Sequence, residues 1–99
     1  MRKYKKVSDS NRFSILQPDM DRCYICSGPP DDIHECIPGN GKRDLCKSLG
    51  LCVSLCRKHH DEAHRNKEMA AMLKAHAQLA FERTHSREEW MELFRRNYL

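Results

Sequence analysis

The sequence predicts a small α+β fold, and three observations carry that prediction. Short apolar stretches at residues 32–37 and 51–55 stand between Pro/Gly-rich turns and read as strands. From about His59 the apolar residues recur at helical steps. Two pairs of two-residue spacing, Cys23-x-x-Cys26 and Cys56-x-x-His59, stand at a turn and at the junction of the last strand with the long helix.

The elements follow in chain order. Residues 1–12 carry Arg2, Lys3, Lys5, Lys6 and Arg12 against Asp9 and read as a basic, mobile tail. Residues 13–99 form one domain, with a braced core over 13–65 and two C-terminal helices over 66–99. Residues 13–16 (FSIL) read as a short strand or a flap on the core, ended by Pro18. Arg22 leads through Cys26 into the turn Ser27-Gly28-Pro29-Pro30. After the strand at 32–37, Pro38-Gly39-Asn40-Gly41 forms a loop, and residues 42–50 fit neither pattern. In the strand at 51–55, Leu51, Val53 and Leu55 share a face. Ala70, Leu73, Ala77, Ala80 and Phe81 then continue a helix from His59 to near Thr84. Ser86 and Glu89 make a capping box for a last helix that buries Trp90, Leu93, Phe94 and Tyr98.

Composition limits what such a chain can be. Of 99 residues, 39% are hydrophobic, 32% are charged and seven are aromatic, so the core is thin and a metal or other staple is a common supplement. No apolar run is long enough to span a membrane, and the basic start lacks the apolar segment of a secretory signal. An intracellular setting follows, in which six cysteines serve as thiols and metal ligands; the alternative is an oxidised secreted protein with paired cysteines. The net charge of +4 resides in residues 1–12, since the rest of the chain has 13 cations against 13 acids. A second basic stretch, Lys42, Arg43, Lys47, Arg57 and Lys58 against Asp44, suits a polyanion such as nucleic acid as readily as it suits plain solvation.

Two-residue spacing lets both members of a pair reach one tetrahedral ion, and three thiolates with one imidazole favour zinc. Cys23, Cys26, Cys56 and His59 are therefore the expected ligands of a structural zinc ion. Pairing Cys52 with Cys56 is less suitable, because a strand would hold the two sulfurs apart. Cys36 reads as a buried small hydrophobe and Cys46 as a loop thiol.

A second constellation lies beside the first. His60 and His64 share a helix face, turned away from His59, and His34 and Glu35 close the preceding strand. Together they can hold a second, exchangeable divalent ion; taken singly, each is an ordinary surface residue, as are His76 and His85.

These motifs, C-x-x-C, then I-H-E-C-I-P-G, then L-C-x-x-H-H-x-x-x-H, span about residues 22–65 and resemble the HNH (His-Me finger, ββα-metal) endonuclease superfamily, including small phage-encoded HNH-like proteins with a zinc knuckle. The resemblance implies a β-hairpin packed on a helix, with the C-terminal helices as an extension. It also implies a metal-dependent hydrolase of DNA phosphodiester bonds, phage or prophage encoded, cytoplasmic in a bacterial host, and serving recombination, replication or packaging with or without a phage or host partner. His60 and His64 match the helix positions of the catalytic metal site, which takes Mg²⁺, Mn²⁺ or a similar ion. Glu35 departs from the pattern, standing where a second histidine is usual. Either His34 binds metal and Glu35 is the base or a further ligand, or His34 is the base and Asp32 or Glu35 helps hold metal. The second is favoured, because a neutral imidazole titrates near working pH. Arg43 is the expected phosphate contact, with Lys42 and Lys47 nearby, and Gly39 and Gly41 let the loop approach a phosphate. The alternative is a catalytically inactive, zinc-stapled module that binds nucleic acid or protein through the basic loop and Trp90, Phe94 and Tyr98.

Overall fold

Strand β2 (Cys52–Leu55) is the hub of the structure, because it is bonded along both edges and buried at every residue. The computed structural model describes residues 12–39 and 41–99; residues 1–11, which hold most of the basic tail, and Asn40 lie outside the described residues. On one edge β1 (Asp32–Glu35) pairs antiparallel with β2, placing His34 opposite Val53 and Glu35 opposite Cys52. On the other edge the chain forms irregular backbone instead of a third strand. Ile15 N–H donates to Gly50 O, Ser14 Oγ–H donates to Cys52 O, and Tyr24 N–H donates to Ser54 O. Residues 13–16 are thus a flap, the second of the two forms expected.

Gln17 fixes this irregular edge. Its buried amide accepts from Ser54 N–H at 2.6 Å and donates to Asp19 O and Arg22 O, so the backbone before Cys23 is tied to the strand before Cys56. A buried amide satisfied this fully adds rigidity, whereas an unsatisfied one would cost about 1–3 kcal/mol. The local fold therefore brings the two ligand pairs together before any metal is considered.

Helix α1 (Lys42–Leu49) resolves the ambiguous stretch. It is short, and both flanking glycines are left-handed, Gly41 at φ 76° and Gly50 at φ 70°. Gly50 has a second reason to lack a side chain, since a Cβ there would sit 2.5 Å from Phe13 Cε2. Cys46 is not a loop thiol. It lies on the inner face of α1, fully buried, with its Sγ 3.5 Å from Ile37 O.

The helix expected to run unbroken from His59 is two helices, α2 (Arg57–Arg65) and α3 (Lys67–Phe81). Asn66 separates them. Its backbone is extended, and its side chain accepts from the N–H groups of Glu68 and Met69, capping α3. An asparagine that offers the backbone this alternative favours a helix start over a helix interior. The last helix, α4 (Arg87–Phe94), is capped by Ser86 Oγ accepting from Glu89 N–H, as the sequence predicts.

Trp90, Phe81, Leu73, Leu51, Val53 and Leu55 form the centre of the core, with Trp90 against Phe94 at 4.2 Å and Phe81 at 5.5 Å between ring centroids. Fully buried Gln78 locks the C-terminus to α3: its amide nitrogen reaches Glu82 and Asn97, and its oxygen accepts from Tyr98 N–H. Two histidines expected at the plain surface are half-buried and engaged. His76 Nδ1 lies 2.8 Å from Tyr24 Oη, and His85 stacks on Phe81 at 4.3 Å. Among the described residues no helix is long and apolar enough to cross a membrane.

Candidate metal centres

The N-terminal knuckle is made by a tight turn. Ser27 N–H donates to Cys23 O, Cys23 N–H donates to Gly28 O, and Ser27 takes a positive φ of 64° to close the turn. Tyr24 N–H, bonded to Ser54 O, docks this turn beside β2. The other pair arises where β2 passes into α2. Cys56 is the N-cap residue of α2, and His59 lies in the helix's first turn, so both face the knuckle.

The ligand atoms of Cys23, Cys26, Cys56 and His59 lie within 4.8 Å of one another, close enough to hold one metal ion. Cys26 Sγ is 3.8 Å from Cys56 Sγ, and His59 Nδ1 is 3.6 Å from Cys23 Sγ and 3.2 Å from Cys56 Sγ. Tetrahedral zinc with ordinary bond lengths sets sulfur–sulfur edges of about 3.8 Å and sulfur–nitrogen edges of about 3.6 Å. Two of the three distances match, and the third is shorter by a few tenths of an ångström.

Thiol acidity separates Cys23 from the buried cysteines outside the cluster. Burial pushes the Cys23 thiol up, but amide hydrogen bonds from Cys56, Cys26 and Ile25 and the His59 contact outweigh it and bring it down to about 6. The thiolate is therefore available at neutral pH. Burial pushes the thiols of Cys36 and Cys52 up and takes Cys46 to about 12. Those three stay neutral and pack as small apolar groups.

The second cluster lies on the opposite side of α2. Consecutive residues on a helix are turned by about 100°. His59 and His60 therefore diverge, while His64 rejoins His60 one turn later. From β1, His34 meets both. The ligand nitrogens of His34, His60 and His64 lie within 4.8 Å of one another, and the Nε2 atoms of His60 and His64 are 3.2 Å apart. Two imidazoles on one divalent ion lie about 3.0–3.4 Å apart, so that spacing fits a shared ion. Ring centroids of 5.5 Å and 5.8 Å place His34 edge-on to His64 and His60.

His34 is poised for this in its protonation. Burial, then the neighbouring charges of His64 and His60, lower its pKa to about 4, against a smaller upward effect of Glu35. At neutral pH the ring is unprotonated and presents a lone pair. The unfolded chain binds this proton more tightly than the folded one, so stability falls as pH drops from about 6.5 to about 4. In zinc-loaded protein free of other divalent ions, the His34 C2 proton is expected to titrate near the lower value by NMR. A midpoint near the ordinary histidine value would contradict the placement.

Glu35, the next residue on β1, does not join the imidazoles. Its Oε1 lies 2.9 Å from Arg12 Nη2 and 3.7 Å from Arg43 Nε. Arg12 thus folds in from the end of the tail onto the strand; a contact spanning 23 residues has no local sequence signal. Asp32 is not part of the three-imidazole cluster either; it accepts from Ile33 N–H and lines the same cavity. The imidazoles, Glu35, Arg12 and Arg43 all line one cavity of about 760 Å³, and Lys74 of α3 reaches its wall. Of the three basic residues singled out near the loop, only Arg43 lines this cavity. Lys42 Nζ donates to Leu93 O and lies over Phe94, joining α1 to α4, and Lys47 is in the last turn of α1.

Comparison with protein-family models, curated proteins and solved structures finds no match to this chain.

Proposed function

We propose that this chain is a metal-dependent endonuclease that hydrolyses DNA phosphodiester bonds, with zinc at the four-ligand centre as a brace and a second divalent ion at the histidine centre. The carrying observation is the convergence of His34, His60 and His64 on the floor of a basic cavity, on the face of α2 turned away from the cysteines. The resemblance of the residues over 22–65 to the HNH superfamily points the same way.

The convergence supports His34 as a metal ligand, in preference to the base role that the sequence alone favours. A ring whose pKa lies near 4 presents its lone pair at neutral pH and is a ready ligand. Glu35 is then the base. Arg12 fixes one of its oxygens, and its carboxylate lines the same cavity. It takes a proton from water; the water oxygen attacks phosphorus, and the bond to the 3′ oxygen breaks. Arg43, 68% exposed on its side chain, is free to swing from Glu35 toward the phosphate. When bound, a divalent ion at the three imidazoles supplies Lewis-acid stabilisation of the charge developing on the leaving oxygen.

Supercoiled plasmid incubated with the zinc-loaded protein tests the proposal. Nicking that requires added Mg²⁺ or Mn²⁺ is the expected result. No cleavage with any divalent ion, together with retained gel-shift binding, would replace the proposal with the inactive binding module. For that module the aromatic contacts narrow to Tyr98, since Trp90 and Phe94 are buried in the core.

A further inference from the structure

The C-terminal helices lie outside the span of the HNH resemblance, yet α3 supplies part of the cavity wall through Ala70 and Lys74. These residues are four apart and share a face. An alanine and, one turn later, a lysine contribute to the same wall.

Lys74 differs from the other cations in the cavity. Arg12 and Arg43 both contact Glu35, whereas Lys74 is half-buried and makes no ion pair among the described residues. Its ammonium lies over the Tyr98 ring, 5.6 Å from the centroid. Such a contact holds a lysine in place without neutralising it. The ring is itself fixed. Tyr98 N–H donates to the buried Gln78 side chain at 2.7 Å, and the ring packs edge-on to Trp90 at 6.3 Å. Two buried core residues thus hold the ring that supports the ammonium of Lys74, a residue of the cavity wall.

We infer that Lys74 is a second phosphate contact, from α3, which grips a DNA backbone phosphate neighbouring the one held at Arg43 and the imidazoles. The inference rests on the cavity being the DNA site and assigns the C-terminal helices a part in holding substrate. Arg43 from α1 and Lys74 from α3 then contact the same strand from two elements, which fixes the register of the scissile phosphate.

The test uses the full zinc-loaded chain without any other divalent ion, so that no turnover intervenes, and a fluorescein-labelled 20-base-pair DNA duplex read by anisotropy across a salt series. Lys74→Gln is expected to bind about fivefold more weakly, with the slope of log K against log salt reduced by about one and the melting temperature unchanged. Lys74→Arg is expected to restore both. Wild-type affinity and slope in Lys74→Gln would overturn the inference, even if the plasmid is nicked. Weakened binding in parallel with a lowered melting temperature, not rescued by arginine, would also overturn it, as a purely structural role. The predicted loss of affinity and slope in a chain that never nicks DNA would uphold the phosphate contact while hydrolysis failed.

Discussion

Cys23→Ser leaves the chain unfolded at room temperature. Cys23 is buried at the meeting point of the knuckle turn and the start of α2, and amides from both sides point at its sulfur. A small domain of this kind has only about 5–15 kcal/mol of net stability. Structural zinc in peptide-sized domains contributes about 10–16 kcal/mol of apparent binding energy at neutral pH. Losing one thiolate of four forfeits enough of that energy to exceed the whole margin. It also leaves the N-terminal flap and knuckle held only by their hydrogen bonds to β2 and by the packing of Ile15, Leu16 and Tyr24 on the core. Far-UV circular dichroism of the variant should show a largely unfolded chain, and a strong chelator should reproduce that spectrum in the wild type. Cys36→Ser is the control, since it changes a buried thiol that holds no ion and costs about 1–3 kcal/mol. Native dichroism and melting in Cys23→Ser would show that the four ligands are not a structural metal site.

His34→Ala has the opposite signature, a folded protein without activity. His34 is half-buried in β1 opposite Val53, and among the described residues its ring makes no hydrogen bond to a neighbouring element. Replacing it costs about 1 kcal/mol at most through strand preference. Removing it takes one of three imidazoles from the proposed ion. Even outer-shell partners of a metal site are worth about 10–100-fold in affinity or activity, so losing a direct ligand should lower nicking by at least about a hundredfold. A gel assay at saturating Mn²⁺, beside a thermal melt, measures both. Wild-type nicking by the variant would remove His34 from the chemistry.

Much of this arrangement is legible in the sequence because it depends on local spacing. Two-residue separations identify the four residues that come close enough to hold one metal ion, and a four-residue separation puts His60 and His64 on one face. What spacing cannot show is which long-range neighbours arrive. The sequence groups His34 and Glu35 with the helix histidines, but whether His34 or Glu35 faces the imidazoles depends on the alternation of β1 and on Arg12, 23 residues away, claiming the carboxylate. α1 is unreadable in sequence because eight residues between two left-handed glycines, only three of them apolar, carry little helical pattern, and Cys46 joins the core with it. The break at Asn66 did leave a signal, an asparagine followed by an acid in the next first turn, but the apolar rhythm of α3 hides it. Lys74 has no motif at all. Its place follows from α3 folding back beside the cavity and from Gln78 clamping Tyr98 beneath it.

The central claim is that one short helix separates two metal centres with different tasks, His59 facing one and His60 and His64 the other. Titration calorimetry of Mn²⁺ into the zinc-loaded protein tests it most directly. One further equivalent should bind to the wild type and none to His34→Ala, with the zinc content of both remaining at one. Absence of a second equivalent in the wild type, or its persistence in His34→Ala, would contradict the account.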